Sequence, residues 1–122
     1  MGNLLVATVA AFFLGMGVAA LGRPAMVLAL FGTEVRHRDT LNEIRAVYGG
    51  FGVAVAGLLG WALRDPVLRP GLVAAIAIGV LGMAAGRLWS AAVDRGAGFF
   101  PWLFFGVEVA IAAMLLAALR MP

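Results

Sequence analysis

The sequence predicts an all-α integral membrane protein: a four-helix transmembrane bundle with a short interfacial helix between spans one and two. Three observations carry the prediction. Hydrophobic residues make up 64% of the 122 residues and charged residues 12%, where a soluble domain has roughly 45–50% and 25%, and mean hydropathy is +1.06. The apolar residues fall into runs of about 20, the length that crosses a bilayer core. Most of the charges lie at the ends of those runs.

The same composition bounds the function. Four spans and short links use nearly all of residues 1–122, so the chain is a single four-span domain with no room for a soluble catalytic unit. Cysteine is absent, which excludes disulfide frameworks, thiolate metal sites and cysteine redox chemistry. All nine basic residues are arginine and the formal net charge is +3. They are dispersed at helix ends, where arginine anchors to phosphate headgroups, so no nucleic-acid partner is expected.

The first span, residues 4–21, carries no charge. With no basic stretch before Leu4 and three more spans after it, it reads as a membrane helix and not as a cleaved signal. Ala7, Ala11, Gly15 and Ala19 recur every fourth position, a ladder of small residues that lets a neighbouring helix approach. Met1-Gly2-Asn3 has Val6 where a myristoylation site needs Ser or Thr. Gly22-Arg23-Pro24 then breaks the helix, and residues 25–31 are apolar but too short to cross, which predicts the interfacial helix. The polar stretch from Gly32 to Asp39 holds His37, the lone histidine. It has no companion ligands for a metal.

The second span, residues 42–63, begins at Thr40-Leu41-Asn42-Glu43, which fits a capping box. Arg45 lies roughly 7–8 Å past that cap by helical rise. Arg45, Tyr48, Gly49 and Gly52 share one helical face. The link from Arg64 to Pro70 is turn-rich and short, so spans two and three form an antiparallel hairpin. In the third span, residues 71–93, Gly79, Gly82 and Gly86 thin the helix, and Arg87, Ser90 and Asp94 line one face. The fourth span, residues 101–119, starts at Pro101, a residue suited to a first turn. Phe99, Phe100, Trp102, Phe104 and Phe105 make an aromatic cluster of interfacial type. Glu108 follows roughly 10 Å further in, with no local cap to explain it.

Alternation of four spans puts Glu43, Arg45, Arg87 and Glu108 on one side of the membrane, at depths of about 5–10 Å. A charge inside a bilayer is expensive, and such residues pair or mark a ligand site or pathway. The expectation is a buried polar layer of these four, with Tyr48, Ser90 and Asp94 at its edge. Either the layer is a lock of Arg–carboxylate pairs that fixes which helix faces which, or it lines a pocket in which an arginine holds a polar head.

The segment Asn42-Glu43-Ile44-Arg45-Ala46-Val47-Tyr48-Gly49-Gly50, together with Gly86-Arg87-Leu88, Asp94 and Glu108, resembles a bacterial four-helix membrane family, domain of unknown function 4345. The resemblance spans nearly the whole chain and implies a four-helix fold with no established activity. A looser similarity is to the DoxX-like four-helix proteins, which implies a membrane partner of an oxidoreductase or an assembly factor.

No Ser-His pair, histidine cluster or phosphate loop is present, and carboxylates paired with arginine make poor general bases. The expected protein is therefore not an enzyme, has no catalytic residues, and takes no cofactor or metal. It binds a small amphipathic molecule or membrane lipid through the polar layer, or serves as an accessory membrane subunit. The alternatives are an oligomeric transporter or channel for a small solute or proton, and a purely structural cluster in a protein that assembles a membrane-protein partner. A homo-oligomer is a further partner reading. Richness in Ala, Gly and Arg fits a bacterial genome rich in G and C, so the expected location is a bacterial inner membrane. Arg64 and Arg69 in the hairpin link favour cytoplasmic termini.

Overall fold

The computed structural model describes residues 1–122, and every regular element in it is helical. Helix α1 (Gly2–Gly22) is followed by the short α2 (Pro24–Leu30), then by α3 (Arg38–Ile44), a π-helical segment (Arg45–Gly50) and α4 (Phe51–Ala62) in one continuous rod. Helices α5 (Arg69–Val93) and α6 (Phe99–Leu119) complete the chain. The four long helices, Gly2–Gly22, Arg38–Ala62, Arg69–Val93 and Phe99–Leu119, are long and apolar enough to cross a membrane. That is the architecture of a multi-pass membrane protein. Each of these helices starts two to four residues before the apolar run assigned to it from the sequence. Helix α2 has Pro24 in its first turn, where the missing N–H has no role, and at seven residues it cannot cross a bilayer.

The expected capping box does not form. The second long helix starts at Arg38 after His37, and no side chain caps it. Thr40 is already inside the first turn, its N–H bonded to the His37 carbonyl, so Thr40 and Glu43 are both helix-interior positions. Asp39 lies in that first turn instead, where a negative charge is favoured by the helix dipole. In the next link, Asp65 closes the turn: one of its carboxylate oxygens accepts the N–H groups of Val67 and Leu68, each at 3.0 Å.

The rods pack as an up-down ring in the order α1, α4, α5, α6 and back to α1. Its core is a single cluster in which Val6, Val9, Leu59, Val73 and Leu115 are almost fully enclosed. That cluster occupies the half of the bundle holding the two termini, where Gly2 packs on Ala118 and Met121 and Arg69 donates a hydrogen bond to Asn3 Oδ1. The other half holds few buried side chains.

The small residues act differently from expectation. Helix α1 buries Gly2, Val6, Val9, Phe13, Gly17 and Ala20, while Ala11 and Gly15 of the Ala7/Ala11/Gly15/Ala19 ladder face outward. Gly17 makes the close approach: a Cβ there would lie 2.8 Å from the Gly49 carbonyl oxygen and 2.8 Å from the Val53 nitrogen. A Cβ on Gly52 would lie 3.2 Å from Gly17 Cα. Gly79, Gly82 and Gly86 of α5 meet nothing within 4 Å, so they bring no neighbouring helix of this chain closer. Helical periodicity, set by the large residues Val6, Val9 and Phe13, decides which small residues turn inward.

Candidate functional site

Arg87 lies near the end of α5 and Glu108 two turns into α6, and the antiparallel hairpin brings them together. Arg87 Nε is 2.9 Å from each Glu108 carboxylate oxygen, and Nη2 is 2.9 Å from Oε1. Glu108 is the one charged residue in the buried core, 6% exposed. Phe104, one turn before Glu108 on the same face of α6, places its ring centroid 5.4 Å from the Arg87 guanidinium carbon. This is within reach of a cation–π attraction. The ring also touches Phe31, just beyond α2, at a centroid distance of 5.7 Å.

The pair ends an apolar cavity of about 220 Å³ in the looser half of the bundle. Phe13 and Met16 from α1, Met26 from α2, Val80 and Met83 from α5 and Ile111 from α6 form much of its wall, and Arg87 and Glu108 are its only charged residues. The volume is somewhat above the roughly 150 Å³ of an apolar cavity able to hold benzene. Phe12, Met26 and Met83 line it and are also 40%, 46% and 43% exposed, so the cavity opens sideways through an apolar rim. On its other side Arg87 borders a second, polar recess formed with Ser90, Gly96, Ala97 and Pro101. The chain turns there through Arg95 at φ 58° and Gly96 at φ 139°.

Tyr48 reaches the same cavity from the π-helical segment. A π turn closes its bonds over five residues, as in Phe51 N–H to the Ala46 carbonyl, and such turns recur at functional sites. The Tyr48 phenol forms no hydrogen bond within the protein.

The other sequence-predicted residues lie elsewhere. Arg45 donates from Nε to the Leu21 carbonyl at 3.1 Å, satisfying one of the carbonyls left open at the end of α1. Its guanidinium is thus a C-terminal cap for a neighbouring helix. Glu43 is exposed and has no ion-pair partner. Ser90 donates to Asp94 Oδ2 at 3.1 Å, and both are exposed. The seven residues Glu43, Arg45, Tyr48, Arg87, Ser90, Asp94 and Glu108 therefore do not form one layer. The physical reason is rotational. Glu43 and Arg45 are two positions apart, about 200° around a helix, so equal depth does not give them a common face. Missed at the sequence level were the cavity walls, above all Met26 and Phe31 around α2. The one available signal was Phe104, spaced i−4 from Glu108.

The chain matches the model of the family described as Domain of unknown function (DUF4345) over residues 1–119. No curated protein and no solved structure matches it.

Proposed function

This chain belongs to the DUF4345 family, and from that premise we propose a non-enzymatic membrane protein that binds a small amphipathic molecule or lipid segment. The apolar part lies in the cavity and the polar end meets Arg87 and Tyr48. The observation that carries this reading is an apolar cavity of about 220 Å³ whose only charged residues sit together at one place. Apolar pockets with a few convergent polar groups are the usual form of a small-molecule site. Flexible methionines and phenylalanines in the wall suit an adaptable fit. A non-enzymatic role is supported by the pairing itself, since both Glu108 oxygens are held by Arg87. The setting we propose is a bacterial inner membrane with both termini cytoplasmic, on the strength of Arg64 and Arg69 in the hairpin link.

The test is native mass spectrometry of the protein released in mild detergent, with chemical analysis of what dissociates. A stoichiometric non-protein mass is expected, and it should be lost in Ala19→Phe, which projects a ring into the cavity from α1. Bare wild-type protein, or a bound mass unaffected by Ala19→Phe, would overturn the reading.

A second reading is favoured by one specific observation, the side-on geometry of the ion pair joining α5 to α6. In it the pair is a lock, and the protein acts as an accessory subunit for a membrane-protein partner. That reading is supported if a partner chain co-purifies with stoichiometric yield while the cavity carries no ligand.

A further inference from the structure

The charge balance around Arg87 restricts what the cavity can take. We infer that the ligand is an electrically neutral amphiphile whose polar end is a hydrogen-bond acceptor, a carbonyl or hydroxyl oxygen, and not a carboxylate or phosphate. The inference rests on the binding function proposed above and names the chemical class of its ligand.

Arg87 uses one edge of its guanidinium, Nε and Nη2, on Glu108. Nη1 makes no hydrogen bond within the protein, and it is not among the buried polar atoms that lack a partner. The guanidinium therefore has donor capacity left for an acceptor. Its charge, however, is already matched one to one by Glu108, and the cavity holds no further cation. An anion placed against Arg87 would be a second negative charge on a single guanidinium, in a site whose other walls are apolar. An uncompensated buried charge is strongly disfavoured.

The polar recess on the far side of Arg87 gives an anion no better reception. Its one hydroxyl, on Ser90, is already donated to the Asp94 carboxylate, so an anion there would find only Arg87, whose charge Glu108 already matches. Arg95, the nearby cation in the turn, is exposed and lines neither space. Tyr48, which lines the cavity, carries a neutral side chain. A carbonyl or hydroxyl oxygen can accept from the remaining Arg87 N–H groups without adding charge, and its apolar body meets Phe104 and Ile111.

The experiment compares 2-octanone with sodium octanoate as probes of the full-length protein in detergent at pH 8. Binding is read from thermal stabilisation, and Ala19→Phe serves to subtract effects of the probes on the micelle. Wild-type protein should bind octanone at least tenfold more tightly than octanoate. In Glu108→Gln, where Arg87 loses its counter-charge, the preference should reverse. Wild-type protein that binds octanoate as tightly as octanone, with the Ala19→Phe signal subtracted, would overturn the inference while leaving the cavity reading standing. Stabilisation by neither probe would defeat both. Should Glu108→Gln fail to fold, the wild-type preference alone decides.

Discussion

Arg87 holds Glu108 side-on, with Nε shared between both carboxylate oxygens at 2.9 Å and Nη2 on Oε1 at 2.9 Å. This is the one ion pair in the molecule. It joins the end of α5 to the start of α6 next to an otherwise apolar cavity. Side-chain exposure is 21% for Arg87 and 8% for Glu108, so it is the loss of Arg87 that strands the more enclosed partner.

Arg87→Ala should destabilise the protein by about 3 kcal/mol, because it leaves the Glu108 carboxylate buried without a counter-charge. Replacing both residues together, as in Arg87→Met with Glu108→Leu, should recover most of that loss. Unfolding in detergent micelles, followed by circular dichroism, measures both. A single substitution no worse than the double one would show that the pair stabilises nothing.

Gly17→Ala should be destabilising by about 1–3 kcal/mol, since its new methyl meets the Gly49 carbonyl oxygen and the Val53 nitrogen of the neighbouring helix backbone as well as the short, β-branched Val53 side chain. Gly79→Ala is the matched control. Its Cβ meets nothing within 4 Å, and thermal stability should be unchanged or slightly raised, as alanine is the better helix former.

Tyr48→Phe should leave stability within about 0.5 kcal/mol of wild type, because the phenol bonds to no protein group. Affinity for a neutral carbonyl probe should drop by up to about tenfold, the equivalent of one lost hydrogen bond. Equal affinity in titrations of the two proteins would remove Tyr48 from the site.

Phe31→Ala should loosen α2 alone. The Phe31 ring ties the end of that helix to Phe104 on α6, and no ion pair supports it. Amide hydrogen exchange should accelerate across Pro24–Leu30 and stay unchanged from Val73 to Val80, where the helix is buried in the main core. Uniform acceleration in both would mean that α2 unfolds only with the whole bundle.

Much of the architecture was legible because membrane spans are written in composition and length, and both are local properties. The four long helices and the short α2 needed no tertiary information. The pairing of Arg87 with Glu108 was partly legible, since two opposite charges at similar depth on consecutive antiparallel helices have few other partners. What depth could not supply was rotation about each helix axis. It grouped Glu43 with Arg45, which turn to opposite sides of one rod, and it assigned Arg45 to a charged layer when its partner is the Leu21 carbonyl. The small residues misled for the same reason. Ala11 and Gly15 keep a perfect spacing, yet Gly17, outside that series, lies in the helix crossing. The cavity was illegible because an empty space has no residue of its own. It arises where Phe13, Met26, Val80 and Phe104 fail to meet, a relation among four segments that no single window contains.

The exposed rim at Phe12, Met26 and Met83 has a consequence for how strongly a guest must be held. A cavity that opens sideways between membrane helices is filled from the lipid phase. Apolar solutes accumulate there, by a free energy of roughly 0.8 kcal/mol for each buried methylene. An eight-carbon guest is thus concentrated by several orders of magnitude before it meets the protein. Modest intrinsic affinity suffices for high occupancy, and the occupant exchanges with a two-dimensional reservoir, the surrounding leaflet, instead of with the water on either side.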